Sequence, residues 1–185
     1  MITVGISESD AKIKQLAARF FPQHGLRCGT TLKQTDKDFI FCTPKRNANY
    51  DILIENSAAV PESHADYIHL VNSDDISVAS VSEPSVYITY GLNSYATATA
   101  SSLIEDGSYL RFQYCLQRNI VSLKGKIIEC QEFPVSIYQF PLDIHSALAF
   151  TTLALTASIP PAKLSKIILP ETRKEAAQPQ PAASI

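Results

Sequence analysis

No stretch of this chain approaches the roughly 20 apolar residues that a membrane-spanning helix requires. The most apolar one, from Ala147 to Ile159, is shorter and is punctuated by threonines. The N-terminus, Met1-Ile2-Thr3-Val4-Gly5, lacks the charged segment and long apolar run of a secretory signal. Neither sign of charge is in excess. Sixteen Lys and Arg stand against eighteen Asp and Glu, a net charge of −2, which points neither to a nucleic-acid binder nor to an acidic solvating tail. No basic cluster alternates with aromatics, so nucleic acid is excluded as the expected partner. CxxC pairs are missing too. The four cysteines, Cys28, Cys42, Cys115 and Cys130, are scattered, whereas zinc ligands come in close-spaced pairs. Without a secretion signal they are expected to be reduced thiols, some of them buried. These absences together predict a soluble cytoplasmic protein with no membrane and no nucleic-acid partner.

What is present is a chain of 185 residues with 45% hydrophobic content, enough to bury one core and form one domain over residues 1–170. Ile2 to Ile6 reads as a buried first strand entering a turn at its glycine. Ser7-Glu8-Ser9-Asp10 then offers caps for a helix from Ala11, with apolar residues at Ile13, Leu16, Ala17, Phe20 and Phe21 on one stripe. Pro22 and Gly25 end it. Further strands are expected at Asp38–Thr43, Tyr50–Glu55, Asp66–Val71 and Val86–Tyr90. The near-continuous apolar run of the second of these is that of a strand buried on both faces. Period-2 patterning follows at Ala96–Leu103, Leu110–Leu116 and Glu129–Tyr138, with a turn at Lys124-Gly125-Lys126. The last clear helix is Ile144–Ala157, apolar on most faces and so buried, and Lys163–Leu169 holds one further short element. Residues 171–185, rich in Ala, Gln, Pro and Lys, read as a disordered tail. The fold class is α/β: a Rossmann-like, P-loop-NTPase-like sheet, mainly parallel with flanking helices, plus an antiparallel, β-rich second half.

The order of these pieces resembles the central, ATP-binding domain of the Mur ligases and the related folylpolyglutamate synthases. Tyr87-Ile88-Thr89-Tyr90-Gly91-Leu92-Asn93-Ser94-Tyr95-Ala96 is similar to the family's strand ending in TYG and the turn after it. Ile144-His145-Ser146-Ala147-Leu148-Ala149 is similar to the helix after its HN pair. Asp51 to Ser57 and Asp66 to Asp75 resemble two intervening strands. The resemblance covers roughly residues 1–160 and implies a Rossmann-like ATPase core in a bacterial, cell-wall-related setting. The family's flanking substrate and amino-acid domains have no room in 185 residues.

Several positions depart from the family's pattern. Its phosphate loop, G-T-x-G-K-[ST], is matched here by Gly5-Ile6-Ser7-Glu8-Ser9-Asp10. Glu8, Ser9 and Asp10 replace the second glycine, the lysine and the magnesium-binding hydroxyl, groups the chemistry needs around a triphosphate. Leu142-Asp143 stands for HN, and the segment of the modified lysine shrinks to Ile76–Ser85. By this resemblance the residues in reach of a cofactor are Gly5, Ser7, Ser9, Lys12, Asp143 and His145, and Glu55 matches the magnesium-binding glutamate. One retained carboxylate does not make a phosphoryl-transfer site, so neither ATP nor magnesium is expected to be held in the family's manner, and no catalytic residue is assigned.

Glu55, Asn72, Asp74 and Asp75 fall at strand ends, where open α/β sheets bind ligands but where turn chemistry also favours such residues. His145 reads either as a nucleotide contact or base, or as a hydrogen-bonded helix-start residue, and His69 as a satisfied, partly buried histidine. Arg111 to Arg118 is either a half-buried strand or a partner surface anchored by Arg111 and Tyr114. Three functions follow: a non-catalytic Mur-ligase-like protein binding a partner or metabolite, an ATP-dependent amide ligase subunit completed by a separate protein, and a small-molecule sensor. The ligands and partners in view are a nucleotide, a cell-wall precursor, a protein partner and a second copy of the chain.

Overall fold

The structure, a computed structural model, describes residues 1–55, 63–75, 86–107, 109–138 and 140–169. The expected tail at 171–185 and the shortened Ile76–Ser85 segment lie outside the described residues. The chain opens with β1 (Ile2–Ile6), which buries Val4 and Ile6 in the main core. Gly5 is not a turn glycine. It lies inside β1, paired with Cys42 on one side and Leu53 on the other, and a Cβ there would come within 2.9 Å of Leu53. The turn comes at Glu8–Asp10, a short 3-10 helix leading into α1 (Ala11–Phe20). Ile13, Leu16, Ala17 and Phe20, spaced three and four apart, are the buried stripe of α1. A 3-10 turn, Phe21–His24, ends at Gly25 with φ +77°, a left-handed conformation that glycine adopts without steric cost.

The strands β2 (Cys28–Gly29), β3 (Phe39–Cys42), β4 (Asn49–Glu55), β5 (His64–Asn72) and β6 (Val86–Tyr90) follow. With β1 they form a parallel sheet in the order β6-β5-β4-β1-β3-β2. A tight loop at 91–97 leads to β7 (Ala98–Asp106), which meets β6 in parallel at Tyr90 and Ala98. Then the direction alternates: β8 (Tyr109–Leu116) is antiparallel to β7 and to β11 (Gln131–Tyr138). Between β8 and β11 stands a small separate hairpin, β9 (Ile120–Val121) with β10 (Ile127–Ile128), around Gly125. The chain then forms α2 (Ile144–Thr156), α3 (Pro161–Leu164) and the edge strand β12 (Ile167–Ile168), parallel to β11. The ten-stranded sheet is therefore parallel in its first half, as the sequence patterning predicts, and antiparallel across β7, β8 and β11, with β12 added in parallel at the edge.

Both long helices pack side by side over one sheet face, that of Val4, Ile6, Ile52, Ile54, Ile68, Leu70 and Ile88. Every residue of α2 from Ser146 to Thr156 is buried. Phe150 sits edge-on to Phe20 at 5.6 Å and tilted to Phe21 at 6.4 Å. Burying such a ring contributes about 1.5–3 kcal/mol. The opposite face has a smaller cluster, Tyr50, Leu53 and Ala65 with Cys42 and Ala48.

In β8 the period of two buries Leu110, Phe112, Tyr114 and Leu116 and leaves Arg111 exposed. Arg111 and Tyr114 thus lie on opposite faces and cannot anchor one partner. Tyr114 is fully buried, its hydroxyl 2.9 Å from Thr152 of α2. The half-buried-strand reading is the one that holds.

Candidate functional site

The 3-10 turn before α1, the end of β5 and the start of α2 converge at the C-terminal edge of the parallel strands, where open α/β sheets place ligands. They border an open cleft of about 280 Å³. Ser9, Asp10 and Lys12 line it from one side, Asp143, His145 and Ser146 from another, and Asn72 from the sheet. Every one of these side chains is polar or charged.

On the α1 side, the Ser9 hydroxyl lies 3.0 Å from that of Ser7 and donates to Asp10 Oδ2 at 3.2 Å. Asp10 is only 3% exposed, an unusual burial for an aspartate. Glu8 is exposed and does not line the cavity. Nearby, Tyr90 donates its hydroxyl to the Glu55 carbonyl at 3.1 Å. Burial first, and then the negative charges of Asp10, Asp143 and Glu55, push that phenol well above its ordinary value.

On the α2 side, Asp143 is the N-cap. Its carboxylate accepts from the Ser146 N–H at 2.9 Å and the Ser146 hydroxyl at 2.7 Å, satisfying a donor that the helix leaves open. Burial works against ionisation of Asp143, but these bonds hold its pKa below the usual carboxylate value. His145 Nε2 lies 2.9 Å from Asp74 Oδ2. Asp74 also accepts from the backbone N–H groups of Leu92 and Asn93 and from the Asn93 side chain at 2.6 Å. Burial opposes its ionisation too, and these donors together keep it below the ordinary range. Asn72 Oδ1 accepts from the Asp74 N–H at 3.0 Å, an Asx turn. Space here is tight: a Cβ on Gly91 would stand 2.8 Å from Ser73 Oγ and 2.9 Å from the Asp74 carboxyl.

Of the cofactor-contact residues expected from the sequence, Ser9, Lys12, Asp143 and His145 meet around this cavity. Ser7 stands one hydrogen bond away, while Gly5 lies within β1 and does not line it. Glu55, the match to the family's magnesium-binding glutamate, turns its side chain to the far face. Its Oε2 lies 2.9 Å from His69 Nε2, which makes no aligned hydrogen bond, so the contact is an ion-pair distance off the N–H direction. The His69 ring tilts against Tyr87 at 4.9 Å. Among the described residues no group of three or more His, Cys, Asp or Glu side chains is placed to hold a metal ion. At the strand ends Asp74 does turn and loop work, and Asn72 both turns the chain and lines the cavity. Sequence reasoning did not place Ser146 here. Its signal was its position three residues after Asp143, the spacing of a capped helix start.

A second cavity, of about 230 Å³, shares Lys12 and Asp143 with the first. Its other walls are Glu105 and Gly107 from the β7–β8 end and the mostly apolar set Tyr109, Leu110, Phe140, Pro141 and Leu142. The cysteines lie elsewhere. Burial raises the Cys28 thiol to about 11 and raises Cys42 as well, so neither is poised as a nucleophile.

No family model matches the sequence, and no curated protein does. Among solved structures the fold is similar to that of the MurF ligase from Thermotoga maritima, determined in complex with ADP. The TM-score is 0.53 at 8% sequence identity, over 89% of this chain and 48% of that one. At that identity the likeness shows the fold, a Mur-ligase-like α/β architecture, and this chain spans about half the ligase's length. Among the described residues no helix is long and apolar enough to cross a membrane.

Proposed function

We propose that this is a non-catalytic binding protein on a Mur-ligase-like fold, one that holds a small polar metabolite and does not turn over nucleotide. The observation that supports this most is the presence of the chain's own carboxylates at both helix starts lining the cavity. A helix N-terminus attracts anions through its unpaired N–H groups and dipole. In α2 that role is taken by Asp143, bonded to Ser146. At the start of α1 stands the buried carboxylate of Asp10. A phosphate oxygen 4 Å from either carboxylate meets a repulsion of about 4 kcal/mol at an effective dielectric of 20. Lys12 is the one lysine or arginine lining the cavity, while phosphoryl transfer relies on several cations clamped around the developing charge.

Thermal unfolding with millimolar Mg-ATP, and separately Mg-ADP, tests this. A ligand at about 100 times its dissociation constant adds roughly 2.7 kcal/mol, several degrees for a chain of this size. The expected result is no shift with either nucleotide and no phosphate release over hours. A nucleotide-dependent shift would overturn the proposal and favour the reading of a ligase subunit completed by another polypeptide.

A further inference from the structure

The two cavities differ in chemistry and share a wall. The first is lined by polar and charged side chains alone; the second is walled by two aromatic rings, two leucines and a proline, with the exposed Glu105 and Gly107 completing it. Lys12 and Asp143, one of each charge, border both. We infer that the pair forms a bipartite site for a zwitterionic α-amino acid with an apolar side chain. The ligand's ammonium faces Asp143, its carboxylate faces Lys12, and its side chain enters the pocket of Tyr109, Leu110, Phe140 and Leu142. This rests on the reading above that the site takes a metabolite other than a nucleotide.

Charge and capacity select that class. A carboxylate offers about four lone-pair sites, and the two hydrogen bonds from Ser146 leave Asp143 with room for an ammonium. Lys12 is exposed on the first turn of α1 and makes no ion pair or hydrogen bond among the described residues. Its three N–H donors are therefore available for an incoming carboxylate. An amine without a carboxylate would leave Lys12 without its partner. An acid without an ammonium would bring no cation to Asp143, whose open lone pairs the zwitterion's ammonium meets. Size is compatible with this, because the ligand spans both cavities, of about 280 and 230 Å³, and together they reach the range of small-molecule sites. A side chain of the size of leucine or phenylalanine fills the apolar pocket, whereas glycine or alanine leaves it vacant.

Calorimetric titration of the full chain with L-phenylalanine tests the assignment, with L-leucine, glycine, phenethylamine and 3-phenylpropionate in parallel. Phenylalanine or leucine is expected to bind, and the other three to bind at least about tenfold more weakly. Asp143→Asn keeps an N-cap acceptor and removes the charge, so this variant folds while its phenylalanine affinity falls about tenfold or more. Lys12→Gln, at an exposed position, is expected to do the same. Phenylalanine binding that is unchanged in both variants places the ligand elsewhere and overturns the proposal. No binding of phenylalanine or leucine, with Mg-ATP also inert, overturns the ligand class and leaves the non-nucleotide reading intact. Binding of Mg-ATP in place of the amino acids overturns both.

Discussion

Tyr114 and Thr152 join the antiparallel half of the sheet to α2 through one fully buried hydrogen bond, and the direction of that bond sets what each substitution costs. The Thr152 hydroxyl has a single proton, and it is donated to the Leu148 carbonyl at 2.8 Å. The 2.9 Å contact with Tyr114 is therefore donated by the phenol. Tyr114→Phe removes that donor and leaves Thr152 still bonded to Leu148. The expected cost is about 1 kcal/mol, the net worth of an ordinary hydrogen bond. Thr152→Val keeps the side-chain shape but strands the phenol where there is no water, since Tyr114 and Thr152 are both 0% exposed. Leaving a buried donor unsatisfied costs about 1–3 kcal/mol, so this variant is the worse of the two. In the double variant no polar group is stranded, and its destabilisation falls roughly 1–2 kcal/mol below the sum of the singles. Urea unfolding midpoints, with thermal melts in which each kcal/mol is worth about 2–4 °C, measure all four proteins. Simple additivity, or a Thr152→Val variant as stable as Tyr114→Phe, would refute the bond direction and the burial argument together.

Gly91→Ala should lower stability by about 1–3 kcal/mol, because its Cβ must displace Ser73 and Asp74 from contacts under 3 Å; an unchanged urea midpoint would contradict the tight packing of this loop. Asp74 has a depressed folded pKa, so its contribution is complete above the ordinary aspartate value of about 3.9 and is lost as pH falls through the depressed one. Asp74→Asn should therefore flatten the fall in stability below about pH 4, and an acid limb as steep as the parent's would count against it. Alkylation with iodoacetamide near pH 8 should modify the exposed Cys130 well before Cys28, whose half-buried thiol is raised to about 11. Peptide mass mapping that finds the two modified at equal rates would refute that order.

Much of the sheet was legible because its strands announce themselves locally. The continuous apolar run of β4, the alternation of β8 and the four-residue spacing in α1 all depend on neighbours in sequence. The two-residue strands β2, β9, β10 and β12 have no such period, since two residues cannot display one. Gly5 misled because a glycine ending an apolar run suits a turn and a close strand contact equally, and only the packing of Leu53 and Tyr50 decides between them. Glu55 was readable in principle. With Ile52 and Ile54 facing the helices, the period of two turns Glu55 away from them and towards His69. The cavity was half visible: Ser9 and Lys12 came from the loop before α1, and Asp143 and His145 from the start of α2. What no local pattern reveals is that these two helix starts, more than a hundred residues apart, share one end of the sheet, or that the β7–β8 end and the 140–142 segment build an apolar pocket beside them.

The placement of α1 and α2 on one face also bears on how the chain is made. The apolar face of β1, β4, β5 and β6 is synthesised by Tyr90, but the helix that covers much of it ends at Thr156. At about 5–20 residues per second, that face stands without its α2 cover for several seconds on the ribosome. Through this interval Phe20 and Phe21 have no Phe150 to rest on. The nascent chain is therefore most exposed to chaperones, proteases and self-association between the completion of β6 and the emergence of α2.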